Sequence, residues 1–233
     1  MMKRFFLSFC LVLACISIEA QNVQLHYDFG RGLYNELNDR PLLTSTVEFF
    51  HPDSFGTTFF FVDMNYARNG VVSAYSEIER QISFSSSCPI NWQIEYNGGV
   101  HKNAPLNNAY LTGLAYNYSS KKHLAGFTVS ALYKYIQKNS SPQSVQFASS
   151  WYLHTSNKVF SFTGFADVWR EKTDYGLVTF LTEPQFWLNL QHINGFDERV
   201  KLSIGSEVKC SYNFEGRDGF YCIPTLAMKW TFN

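Results

Sequence analysis

Residues 200–212 read V-K-L-S-I-G-S-E-V-K-C-S-Y, with Val200, Leu202, Ile204, Val208 and Tyr212 alternating against Lys201, Ser203, Gly205, Glu207 and Lys209. A strict period of two over this length is a β-strand of about 40 Å, far longer than the five or six residues usual in globular sheets. One face is apolar and the other charged. A strand that crosses a bilayer needs about 9–11 tilted residues, apolar toward lipid and polar toward a lumen, and this segment supplies both.

The rest of the chain repeats the pattern. Breaking it at clusters of Gly, Pro, Asn, Ser and Asp predicts twelve strands at about 23–29, 41–51, 57–66, 72–84, 90–98, 108–118, 125–136, 144–154, 158–170, 178–193, 200–212 and 219–232. The expected fold class is all-β, a twelve-stranded antiparallel transmembrane β-barrel. Closure leaves no edge in lipid and satisfies every backbone group, and bacterial barrels of this kind have even strand numbers. The cuts also predict short connections at 52–56, 85–89, 119–123, 155–157 and 194–198 on one side. Longer ones are expected at 30–40, 98–107, 137–143, 171–177 and 213–218 on the other, where 67–71 alone is short.

At the start, Lys3 and Arg4 precede an apolar run over 5–16 and small Ala20 stands before Gln21. This predicts a signal peptide over 1–20 and a mature barrel over 21–233. Lipidation at Cys15, within V-L-A-C, is the competing processing. The chain is 18 % aromatic and 16 % charged, as expected where alternation dilutes hydropathy while aromatics gather at membrane interfaces. Removing Lys3, Arg4 and Glu19 from 19 basic and 19 acidic residues leaves 17 and 18. Such balance argues against a nucleic-acid polymer as partner. Cys88, Cys210 and Cys222 remain after the leader; an odd number predicts no disulfide framework, and their spacing is not that of a metal site.

Strand phase nominates the lumen. Tyr75, Glu77, Glu79 and Gln81 share one row, opposite a largely apolar row broken by Ser76 and Arg80. Thr57, Phe59, Phe61, Asp63 and Asn65 form the inward row of the preceding strand, and Thr44, Thr46 and Glu48 that of the one before. Gln93 and Glu95 follow, then Glu183, Gln185, Trp187, Asn189 and Gln191, with Pro184 on the opposite face at an expected bulge. Lys201, Glu207, Lys209 and Lys229 add charge of both signs, which predicts a mixed polar channel. His154 and Ser156 share a face and form the one candidate nucleophile pair, but no orienting group or oxyanion donor accompanies them. Glu77 and Glu79 can be read as an acid and base pair or, with better support, as lumen charges.

The stretch 46–84, T-V-E-F-F-H-P-D-S-F-G-T-T-F-F-F-V-D-M-N-Y followed by S-E-I-E-R-Q-I-S-F, resembles the Tsx-like nucleoside-specific channel-forming outer-membrane proteins. G-F-A-D-V-W-R-E over 164–171, E-P-Q-F-W over 183–187 and I-G-S-E-V over 204–208 resemble a related branch of unknown function. The resemblance implies a channel in the outer membrane of a Gram-negative cell for passive diffusion of nucleosides or similar small solutes, without catalysis. Asp63, Glu77, Glu79, Tyr75, Phe61, Glu183 and Trp187 are the expected solute-contacting residues. Outer-membrane lipid and a small solute are the expected partners, of a monomer; no cofactor or metal is required. The alternatives are a plugged structural or adhesion barrel and a lipid-acting outer-membrane enzyme.

Overall fold

The computed structural model describes residues 20–102 and 106–232. The leader reading, with Cys10 and Cys15, lies outside them apart from Ala20, as do 103–105 and Asn233. The strands are β1 (Ala20–Asp28), β2 (Leu43–Asp53), β3 (Gly56–Ala67), β4 (Gly70–Ser83), β5 (Ile90–His101), β6 (Ala109–Ser119) and β7 (Ala125–Ile136). They continue as β8 (Gln143–His154), β9 (Phe160–Thr173), β10 (Gly176–Thr182), β11 (Gln185–Asn189), β12 (Leu202–Tyr212) and β13 (Phe220–Phe232). Each pairs antiparallel with its neighbours, and β1 pairs with β13 from Gln21 opposite Phe232 to Asp28 opposite Thr225, which closes the sheet.

β10 and β11 are two halves of one barrel strand, so the closed sheet has 12 strands around its circumference. Both halves run between β9 and β12, and the break falls at Glu183 and Pro184. Pro184 has no N–H to give a neighbour, and its carbonyl still accepts from the Val208 N–H at 3.0 Å. The register is the same on both sides of Pro184, with Thr182 opposite Cys210 and Gln185 opposite Glu207, so the expected bulge is absent and unbroken alternation keeps Glu183 inward.

Alternation turns the molecule inside out relative to a soluble protein. On β1, Gln24 is 2 % exposed while its neighbour Leu25 is 43 % exposed. On β13, Thr225 and Ala227 are buried between exposed Leu226, Met228 and Trp230. The outward row does hold Arg80, and its guanidinium reaches the β2–β3 turn to make a two-pronged pair with Asp53, at 2.8 and 2.9 Å. A long cationic side chain that leans to the rim in this way keeps its charge out of the apolar band.

Two further sequence expectations are corrected. The connection lengths are not segregated by side, because β9 and β10 extend through the expected loop at 171–177 and meet in a tight turn, whereas 190–201 forms a long connection containing a 3-10 turn (Leu190–His192). Cys210 and Cys222 form a disulfide across β12 and β13 on the outer face. The odd cysteine count excludes complete pairing but leaves one pair open, and the strand register that sets these two opposite each other is invisible in spacing alone. Cys88 is free.

The β1–β2 connection, which contains helix α1 (Gly30–Leu33) and a 3-10 turn (Asn35–Leu37), is tied to the rim at β13 and the β12–β13 loop. Arg40 clamps it. Its Nε lies 2.8 Å from Asp28 at the end of β1 and its Nη1 3.4 Å from Glu215 in the β12–β13 loop, where Arg217 also holds Glu215 at 2.9 Å. Tyr34 donates to the Cys222 carbonyl and accepts from the Cys222 N–H, at 3.2 and 3.1 Å. Gly30 is required where the chain turns over this clamp, since a Cβ there would stand 2.8 Å from Asp28 Oδ1 and 3.1 Å from Arg40 Cδ.

Desolvation opposes ionisation of the Glu215 carboxyl, whose side chain is still 44 % exposed, but Lys209, Arg217 and Arg40 outweigh it and hold the group below the usual carboxylate range. A depressed folded-state value means that Glu215 stabilises the fold above its unfolded pKa, and that this contribution is lost as pH falls through the folded value. We expect thermal stability in detergent to fall below about pH 4, and Glu215→Gln to flatten that part of the profile. An unchanged acid profile in the variant would remove Glu215 from the clamp.

Candidate functional site: an acidic lumen

The inward rows of β3, β4 and β5 form one continuous wall, because their register sets Asp63 opposite Tyr75, Phe61 opposite Glu77, and Glu79 opposite Glu95. Thr46 donates to Asp63 at 2.5 Å. The Phe61 ring lies between those of Phe59, at 6.0 Å, and Tyr75, at 5.9 Å. Tyr75 donates to Glu77 at 3.2 Å. Gln81 donates to Glu79 at 2.7 Å, and the Gln93 amide bridges Glu79 and Glu95 at 3.0 and 2.9 Å. These acids are thus held by a hydroxyl, a phenol and neutral amides. Each such bond fixes a carboxylate rotamer without cancelling its charge.

The facing wall comes from β9 to β13 and β1. Asp167 on β9 lies within electrostatic reach of Tyr75 and Glu77 across the interior. Glu183 pairs with Lys209 at 2.8 Å, and Gln185 donates to Glu207 at 2.7 Å. His26 contacts Thr225 and Gln24 through its two ring nitrogens, with Glu207 4.0 Å away. Several side chains between the walls keep accessible surface. Phe61, Asp63, Tyr75, Glu77 and Glu79 are all partly exposed, and Ser150, on the inward row of β8 opposite Thr128 and Phe165, is exposed.

Residues 20–232 match the family described as a domain of unknown function, DUF5020. The chain belongs to the DUF5020 family. Among solved structures, its fold is similar to that of the NanC porin, with a TM-score of 0.57 at 12 % identity, covering 92 % of this chain and 100 % of that one. It is also similar to the KdgM porin, with a TM-score of 0.51 at 8 % identity over 92 % and 100 %. These likenesses establish a porin-type barrel fold. A comparison with curated proteins finds no sequence match. The match is thus to DUF5020, and what the Tsx-like resemblance implies about fold is met at the level of a twelve-stranded barrel.

Of the expected solute-contacting residues, the DUF5020 barrel brings Asp63, Phe61, Tyr75, Glu77 and Glu79 onto one wall and sets Glu183 opposite. Trp187 is corrected. It points inward as its phase requires but is 0 % exposed, lying over Gly205 with Lys229 stacked 4.1 Å above the ring and its Nε1 donating to Gln185. No face is left for a solute. Gly205 is what admits the indole, since a Cβ there would come within 2.6 Å of Trp187 Cε3 and 2.1 Å of the Phe186 carbonyl.

His154 accepts or donates to Ser161 at 2.8 Å, not to Ser156, and Ser161 is tied in turn to Asn189. Gln191 leaves the inward row because the strand ends at Asn189. Sequence reasoning left out Asp167, Lys134 and His26. Alternation through F-A-D-V-W could have placed Asp167 beside Phe165 and Trp169, all in one phase. The lumen also departs from the expected balance of charge. Asp63, Glu77, Glu79, Glu95, Asp167, Glu183 and Glu207 face Lys134, Lys209 and Lys229, so acid predominates.

Proposed function

We propose that this DUF5020 protein is an outer-membrane channel for passive diffusion of small polar solutes, with nucleosides and similar ring-bearing compounds as candidates. The observation that carries the reading is the partly exposed inner wall of Asp63, Phe61, Tyr75, Glu77 and Glu79 inside a closed sheet whose outer face is apolar. An apolar belt of this extent is stable against lipid, where the closed sheet leaves no backbone group unpaired. The leader over 1–20 fits export to the Gram-negative outer membrane, and closure without an edge suits a monomer. Carboxylates that accept from ribose hydroxyls or base amines, beside rings that stack on the base, give loose binding of the kind a permeation path requires. No cofactor is needed.

The test is solute uptake into proteoliposomes. Uridine and adenosine should enter faster than in protein-free vesicles, and Glu77→Gln with Glu79→Gln should change nucleoside flux several-fold while glycerol entry is retained. Equal nucleoside flux in the double variant would leave these acids as structural charge. A second reading, a plugged structural barrel, is favoured by Trp187 and by buried Leu111, Ala115 and Leu132 on the inward faces of β6 and β7. It requires that no solute enters through folded, inserted protein.

A further inference from the structure

We propose that the lumen selects for small organic cations, solutes carrying a primary ammonium or guanidinium group, and that Glu77, Glu95 and Asp167 with Asn97 form their binding constriction. The inference rests on the channel reading and names the solute class that the same lumen takes.

Three observations carry it. First, among the described residues none of Glu77, Glu79, Glu95 and Asp167 has a cationic partner within 4.0 Å; the ion pairs of the barrel are made elsewhere. Lys134 is the nearest cation in chemical terms, yet its ammonium donates to Gln146 at 2.7 Å and lies 4.2 Å over the Trp169 ring. It is held against β8 and β9, and it acts on Glu95, Asp167 and Glu77 at a distance without a contact ion pair.

Second, Asn97 is 7 % exposed, stands directly opposite Glu77 in register and shares the inward row of Glu95, and its Oδ1 has no hydrogen-bond partner. A buried amide oxygen without a donor is costly. A carboxylate is an acceptor and, while ionised, cannot supply one. The constriction therefore lacks donors and positive charge at once. An ammonium brings three N–H donors and a guanidinium five, each with the charge that is missing.

Third, the rings of Phe61 and Tyr75 adjoin Glu77 on the same inward wall, 5.9 Å apart between centroids. Aromatic faces attract organic cations and do not attract anions. A carboxylate wall beside them disfavours anionic solutes by like charge. Neutral nucleosides meet neither effect in full, so they pass more slowly than amines of comparable size.

The test is planar-bilayer recording under a KCl gradient, followed by proteoliposome uptake of arginine, uridine and glucuronate. We expect a reversal potential of cation-selective sign, with a permeability ratio of roughly 5 or more, and uptake in the order arginine, uridine, glucuronate. Glu77→Gln, Glu95→Gln and Asp167→Asn together should bring the ratio toward unity. Lys134→Gln, which leaves the acids in place, should raise it and serves if the triple variant fails to fold. Conductance without cation preference, or glucuronate entering as fast as arginine, overturns the inference and leaves the channel standing. Silent bilayers with folded, inserted protein overturn the channel reading itself.

Discussion

Leu226→Arg should abolish the heat-resistant folded form of the barrel, while Ser150→Arg should leave it intact and reduce conductance. Leu226 is at the middle of β13 and exposed on the outer face, opposite Tyr27. An arginine facing lipid at the midplane of such a barrel costs about 2–4 kcal/mol, and it is too far from either rim to lean out as Arg80 does. Ser150 is equally central in β8 but faces inward and is exposed. An arginine there enters water and fills part of the lumen. Heat-modifiability on detergent gels measures the first effect and bilayer recording the second; equal tolerance at both positions would mean that inside and outside have been exchanged.

Inward phase alone does not identify a tolerant site. Ser203 shares the inward phase with Ser150, yet it is 2 % exposed and its hydroxyl donates to Asn189 at 2.8 Å. Sequence alternation tells which way a side chain points but not how much room lies in front of it. That distinction explains most of what was legible here. The 200–212 repeat marked β12 to within two residues, and the period of two put Asp63, Tyr75, Glu77 and Glu79 inside. The same logic put Trp187 inside but could not see that Gly205 and Lys229 enclose it. The odd cysteine count predicts no disulfide framework, and the Cys210–Cys222 bridge stays hidden because cross-strand register, fixed by the stagger of the closed sheet, is not written in local spacing. Asp167 and Lys134 were missed for a similar reason. Their significance comes from facing another wall across the lumen, a relation between residues far apart in the chain.

Arg40→Met should destabilise the folded protein by about 3–5 kcal/mol, because it leaves Asp28 as a buried, uncompensated charge. The Asp28 side chain is 6 % exposed, and among the described residues it accepts from Arg40 and from the Gly30 N–H, the latter at 2.7 Å. Adding Asp28→Asn should recover much of the loss, since the amide oxygen keeps the Gly30 bond and carries no charge to bury. Chemical denaturation in detergent provides the comparison. If the single variant is as stable as the parent, the clamp over the β1–β2 connection is surface decoration; if the double variant is no better than the single, the loss is one of packing and not of charge.

The central claim is that a closed DUF5020 barrel carries a water-filled path through its axis. Single-channel recording of the purified, folded protein in a planar bilayer tests it most directly. The account predicts discrete, reproducible conductance steps that shrink in Ser150→Arg. Insertion of folded protein, verified by heat-modifiability, with no steps above the lipid background would contradict it.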